Sequence, residues 1–462
     1  MHRRPSRMKR YLQRPKRVGV VWGLLALFVS SGAYAAPDKQ PNIIVIVADD
    51  LGWADVSYHG SPIPTPNIDR LVRGGVELDQ HYVAPMCTPT RAALLSGRYW
   101  SRFGNTSPSN TQVFPTGTLT LAGALRSRGY ETGISGKWHL GSLPKWGPKK
   151  FGFDRSHGSL AGGVGPWNHA YKRGEYTRTW HRNDVLLTEE GHVTDLIAAE
   201  SVGFITSPRK GPFFLYVPFT AVHHPLDEPP EWLRRGRQAD PKRPQYAASA
   251  MHMDDAVGQI VKSLETAGQR DNTLIVFFSD NGGTINPADG DNARYPGGYP
   301  ENEPLGLNEP LRGRKTQVYE GGIRTPAFVN WAGRLKPGKV HSPLHVVDWM
   351  PTLCKLAGHE SASDLKWDGR DIWPIVSGET TTPKSRVLYW QGVGRRSAAL
   401  RQGNWKLIVH RKKAGDELEL FDLEEDPGEK QDLSAAQSQR VAKLKQLLAD
   451  ETTRDNDAVP QP

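Results

Sequence analysis

"NIIVIVADD", residues 42–50, sets six apolar residues ahead of two aspartates. An unbroken β-branched run of that kind reads as a strand covered on both faces, because a half-solvated strand would alternate apolar with polar residues. The pattern recurs in "NTLIVFFSDNGG" at 272–283, "PFFLYVPFTAVHHP" at 212–225 and "ETGISGKWH" at 131–139, each run ending in polar residues. Between these runs lie helical patterns: "TLAGALRSRG", "TDLIAAESVGFITS" and "AASAMHMDDAVGQIVKSLETAG", the last closing at Gly268 as a C-cap. Buried strands alternating with helices predict an α/β domain on a large, mostly parallel sheet. Ligands of such sheets gather at the carboxyl ends of the strands.

After about residue 380 the texture changes. "RVLYWQ", "SAALRQGNWKLIVHR" and "LELFDLEEDPGEKQDL" read as short strands of a small antiparallel sheet, followed by a helix near 434–450. The expected division is 1–35 as a leader, 36–380 as the main domain and 381–462 as a small carboxyl-terminal subdomain. The stretch 284–310, rich in Gly, Pro, Asn and Asp, reads as a long loop of the kind that carries function.

The leader reading rests on scattered Arg and Lys, the apolar "VGVVWGLLALFVSS" and the small-residue site Ala33-Tyr34-Ala35. It predicts export to the periplasm or the outside, with cleavage near Ala35 and no stable membrane span. Setting aside the eight Lys and Arg of residues 1–35 lowers the formal net charge from +10 to +2. The charge therefore gives no support to nucleic acid as a partner. Of the two cysteines, Cys354 sits in the helical pattern "VVDWMPTLCKLAG" as a buried free thiol, which leaves Cys87 without a structural partner.

Two strand ends carry adjacent oxygen donors, Asp49-Asp50 and Asp280-Asn281. Carboxylates and amide carbonyls without His or Cys suit a hard divalent cation, Ca²⁺ or Mg²⁺, rather than zinc, although either pair alone is equally a cap or turn. "GKWHLG" contributes Lys137 and His139, which share a face if the segment is extended. "AVHHPL" contributes His223 and His224, and "PLRGRKTQVYEGG" contributes Lys315. In "CTPTRAALLSGR", Pro89 is tolerated in a first helical turn, so Cys87 would stand at a helix amino end with Arg91 four residues on, on the same face. An anion there would meet free N–H groups and a guanidinium.

Taken together these segments resemble the type I sulfatases of the alkaline phosphatase superfamily over nearly all the chain after the leader. "CTPTRAALLSGR" is similar to the family motif Cys-x-Pro-x-Arg, whose cysteine a formylglycine-generating enzyme oxidises; Thr90 stands where Ser or Ala is usual. "VADDLGWAD", "GKWHLG", "AVHHPL", "FSDNGG" and "KTQVYEGGIRTP" match the other family segments in order. Within the family, "NEPLRGRKTQVYEGGIR" and "LHVVDWMPTLCKLAG" look most like the arylsulfatase B group.

The resemblance implies an alkaline-phosphatase-like sandwich and hydrolysis of sulfate monoesters on a carbohydrate, N-acetylgalactosamine-4-sulfate or a related galacto-configured sugar. Formylglycine at position 87, hydrated to a diol, would attack sulfur and carry the sulfate as a hemiester. Asp49, Asp50, Asp280, Asn281 and the matured Cys87 would hold Ca²⁺, or Mg²⁺ in its place. Arg91 would orient the diol, and Lys137 and Lys315 would bind sulfate oxygens. His223, helped by Lys315, would protonate the leaving oxygen, while His139 would act as base in releasing sulfate. Two rival readings are a phosphonate or phosphodiester hydrolase of the same superfamily and a silent carbohydrate-binding protein on this scaffold. The segment 162–184, mixing aromatic and basic residues, reads either as a sugar contact or as an ordinary surface loop.

Overall fold

The run at 42–50 forms the central strand, Asn42–Ala48, of a ten-stranded sheet. All seven of its residues are buried. In this computed structural model the described residues are 1–2, 39–285, 291–299, 305–359 and 365–459. The leader expected over 1–35 thus lies, apart from Met1 and His2, outside the described residues. Among those described, no helix is long and apolar enough to cross a membrane.

Phe213–Pro218 lies on one side of the central strand and Thr273–Ser279 on the other, both parallel to it. Glu131–Ser135 and Arg155–Ser159 continue the parallel run beyond Phe213–Pro218. Antiparallel strands flank this core, Ala327–Trp331 against Thr273–Ser279 and Trp180–Arg182 against Arg155–Ser159. Register matters more than strand number: Ala48 pairs with Ser279 and Val47 with Pro218. Asp49 and Asp280 therefore leave the sheet side by side, at the edge where parallel strands present their carboxyl ends.

Helices Val193–Thr206 and Pro244–Thr266 pack their buried residues into the main apolar cluster. The second ends at Thr266, with Ala267 as the C-cap and Gly268 next in the left-handed region at φ +63°. Trp349–Leu356 buries Cys354, a free thiol pushed up to about 12 by burial.

The small sheet is a four-stranded antiparallel meander of Val387–Gln391, Ser397–Gln402, Trp405–Lys412 and Gly415–Asp422. Its helix runs Ser438–Thr452, displaced a few residues from the expected 434–450. The meander is tied to the preceding chain by Trp390 Nε1, which donates to Val83 O at 2.9 Å, and by the buried Lys406, 2.8 Å from both Glu320 and Glu429. The described residues from Lys39 onward hold together as one compact unit.

One expectation is corrected. "ETGISGKWH" is a strand only to Ser135. Gly136 follows at φ +131°, and a Cβ there would lie 2.0 Å from Pro218 O, so only glycine allows this close turn. His139 adopts φ +54°, so Lys137 and His139 do not share the face of an extended strand. Each is placed by backbone bonds instead, Lys137 N to Pro218 O at 2.7 Å and His139 N to Leu160 O at 3.1 Å.

Candidate active site

The Cys87–Ser96 helix begins at Cys87, after an extended Met86, and all ten of its residues are buried. Pro89 occupies the first turn, where its missing N–H costs no helical bond. Cys87 is a free, buried thiol whose pKa burial raises, partly offset by Lys137 and Lys315. As a thiol it is a poor nucleophile at neutral pH.

Around it the strand ends converge. Arg91 Nε and Nη2 donate to Asp280 Oδ2 at 3.1 and 2.7 Å, and its Nη1 donates to Lys137 O at 2.7 Å. Lys137 Nζ donates to Asp49 Oδ2. Lys315 Nζ lies 2.7 Å from Asp50 Oδ1, and Asn281 Nδ2 donates to the same oxygen at 2.7 Å. His223 Nε2 stands 3.8 Å from Asp50 Oδ2. The catalytic and cation-site residues the sequence nominated thus lie together at the carboxyl edge of the sheet, buried apart from the part-exposed His223 and Lys315, with His139 set against Gly162 on the wall.

The oxygen donors fit a hard cation. Asp49 Oδ1 and Asn281 Oδ1 are buried without a hydrogen-bond partner, an arrangement native proteins avoid unless something else satisfies the oxygens. Asp49, Asp50, Asp280 and Asn281 offer carboxylate and amide oxygens with no cysteine or histidine among them, which is the donor chemistry of Ca²⁺ or Mg²⁺ sites. Burial, reinforced by Asp280, pushes the Asp49 carboxyl up to about 7, a cost that an added positive charge relieves. Burial also pushes the Asp50 carboxyl up, but Lys315, Asn281 and Lys137 together outweigh it and hold the carboxyl below the ordinary value.

Both candidate acid–base histidines are held below the ordinary imidazole range by their surroundings. Burial, with Lys137 and Arg91 nearby, holds His139 well below its usual range, and its Nδ1 is buried without a partner. Burial, then Lys315 and His224, does the same to His223. His223 Nδ1 donates to His224 O at 2.5 Å, so Nε2 carries the lone pair that faces Asp50. With Nδ1 unpartnered, His139 has a ring nitrogen free to accept a proton, whereas His223 needs a proton on Nε2 before it can act as an acid.

Gly162 and Gly163 form the wall between these rings. A Cβ at Gly162 would stand 2.4 Å from the His139 ring, and one at Gly163 would stand 2.7 Å from Tyr295 Oη. Gly162→Ala is expected to displace His139 and lower kcat by roughly ten- to a hundredfold with little change in Tm. An unchanged kcat would show that His139 is not needed in this position.

Some neighbours carried no signal in the sequence. Thr284 Oγ1 donates to Asp50 Oδ2 at 3.0 Å. Asp291 binds His224 Nε2 at 2.6 Å and Lys172 Nζ at 2.8 Å, and the bond from His224, followed by Lys172, holds its carboxyl well below the ordinary value. Lys172 belongs to the aromatic and basic segment 162–184, which therefore borders the site.

This constellation has counterparts in known proteins. A family model described as Sulfatase matches residues 41–359, and one described as N-sulphoglucosamine sulphohydrolase, C-terminal, matches 314–455. The chain belongs to the sulfatase family. This is a family of sulfuric ester hydrolases. The chain is 35% identical to mouse (Mus musculus) arylsulfatase J over 77% of its own length and 59% of that protein's, so it spans less than two thirds of this relative. It is 31% identical to the N-acetylgalactosamine-6-sulfatase of Canis lupus familiaris, over 82% of its length and 74% of that protein's. Its fold is similar to Ps i-CgsB solved in complex with k-i-k-neocarrahexaose, with a TM-score of 0.79 and 30% identity, covering 91% of this chain and 94% of that one. The narrower likeness to the arylsulfatase B group rests on the quoted sequence segments alone.

Proposed function

We propose that the protein removes sulfate from a sulfated carbohydrate, with Cys87 matured to formylglycine by a formylglycine-generating enzyme. The observation that carries this reading is the packing of Cys87, Arg91, two lysines, two histidines and four oxygen-donor residues into one buried site. When present, the hydrated formylglycine supplies a nucleophilic hydroxyl, and a divalent cation, Ca²⁺ or Mg²⁺, held by Asp49, Asp50, Asp280, Asn281 and residue 87, lowers that hydroxyl's pKa.

The chain's own residues do the rest. Lys137 and Lys315 bind sulfate oxygens and stabilise the charge that grows on them in the transition state. Arg91, anchored on Asp280, orients residue 87 and keeps positive charge beside it. His223 takes up a proton on Nε2 as the anionic substrate enters and delivers it to the leaving alcohol oxygen. His139 would accept a proton from residue 87 once that residue is matured, the role of a general base. Burial excludes bulk water, so these charges act at full strength.

The substrate class proposed is a sulfated galacto-configured sugar, N-acetylgalactosamine or a relative. Support comes from the N-acetylgalactosamine-6-sulfatases among the relatives and from the oligosaccharide bound to Ps i-CgsB. The leader-like residues 1–35 support action after export, in the periplasm or outside the cell. The test compares sulfate release from 4- and 6-sulfated N-acetylgalactosamine and from an aryl sulfate with hydrolysis of an aryl phosphodiester. Sulfate esters are expected to be preferred by orders of magnitude. Preference for the phosphodiester would replace this reading with the phosphodiesterase one.

A further inference from the structure

Trp167 is the one tryptophan among the described residues with an exposed side chain, at 43%. It is held in place, its Nε1 donating to Asp227 O at 3.0 Å and its ring meeting His192 edge-on at 5.1 Å. It lines an open cleft of about 640 Å³ together with Pro230, Leu233, Arg234 and Arg237. Arg234 and Arg237 lie three residues apart in the Pro230–Ala239 helix, hence on one face, and both are exposed. Neither makes an ion pair or a side-chain hydrogen bond among the described residues.

Acidic side chains on this cleft weigh little against them. Glu228 is buried and bonded to His252 Nδ1 at 2.8 Å. His252 is pushed up to about 9, because its bonds to Asp195 and Glu228 outweigh burial, so Glu228 already has its countercharge. Among the residues lining the cleft, that leaves Asp227 as the acid facing the two guanidinium groups; Glu231, three residues before Arg234, is exposed and does not line it.

The cleft also adjoins the reaction centre along the chain. Gly163, against His223, is four residues before Trp167, a reach of at most roughly 14 Å. Asp227 and Glu228, which also line the cleft, follow His223 by four and five residues.

We propose that Trp167, Arg234 and Arg237 form a second carbohydrate subsite, which holds a sulfated residue of the polymer remote from the ester being cut. The proposal rests on the sulfated-sugar reading above. The indole offers an apolar face to the C–H face of a sugar ring, and the two guanidinium groups offer forked donors to a sulfate. None of the three touches the reacting atoms, so each acts on polymer binding alone.

The test is electrophoresis of the full-length protein through gels containing a sulfated galactan or the same galactan after desulfation, beside 4-nitrophenyl sulfate turnover. Trp167→Ala and the double variant Arg234→Gln/Arg237→Gln are expected to bind the sulfated gel about three- to tenfold more weakly than the parent. Their aryl sulfate turnover should stay within about twofold of the parent, since that substrate is too small to reach the cleft. Unchanged retardation of the variants, equal retardation of the parent on both gels, or a parallel fall in aryl sulfate turnover would each overturn the proposal. Absence of aryl sulfate turnover in the aldehyde-bearing parent would instead overturn the sulfatase reading, while gel retardation would still report on the cleft.

Discussion

Cys87→Ser is expected to abolish multiple turnover of a sulfate ester, lowering kcat by a factor on the order of 10³ or more. The substitution changes one atom in a buried position, so the fold should persist and Tm should move little. A serine hydroxyl at the helix amino end can still meet Lys137, Lys315 and a sulfate ester, and can accept the sulfate once. It has no second hydroxyl for His139 to deprotonate, so the ester it forms has no intramolecular exit. Rapid mixing with an aryl sulfate should therefore show at most one equivalent of phenol per site. Steady turnover at the parent rate would mean that the exit step does not depend on a diol.

The second large effect is expected at Asp280. Its Oδ2 holds both Arg91 Nε and Nη2, and its Oδ1 accepts from Asp50 N at 3.3 Å. Asp280→Ala leaves Arg91, which is fully buried, with a distant carboxylate at 3.8 Å in Asp49. Stripping one partner from a buried ion pair costs about 3 to 5 kcal/mol, so thermal unfolding should shift downward clearly. The same change removes a cation ligand, and sulfate release should fall by about 10³-fold or more. Asp280→Asn separates the two effects, because it keeps hydrogen-bonding atoms near Arg91 while removing the charge. It should recover much of the stability and little of the activity, as read by calorimetry beside a Ca²⁺ titration. Full activity in either variant would remove Asp280 from the cation set.

How much of this was legible beforehand varied with the range of the interactions. The run at 42–50 announced a doubly covered strand, and the acids at its end and after Ser279 could be read locally. Their adjacency followed once parallel register was expected. The Cys87 helix was legible from Pro89 and the spacing to Arg91. The conformation of "GKWHLG" was not, because the turn at Gly136 is set by the approach of Pro218, which lies 82 residues away in the chain. The lowered pKa of His139 and His223 depends on burial and on cations from separate segments, which no local pattern encodes. Asp291 was invisible for the same reason: it acquires meaning only where His224 and Lys172 meet it.

The most direct test of the central claim is mass analysis of the peptide spanning residues 84–98, on protein produced with a formylglycine-generating enzyme, with sulfate release measured on the same sample. The predicted result is a peptide whose mass falls by the difference between a thiol and an aldehyde, in a fraction that rises in proportion to the specific activity. Sustained turnover by protein whose Cys87 is entirely an unmodified thiol would contradict the account.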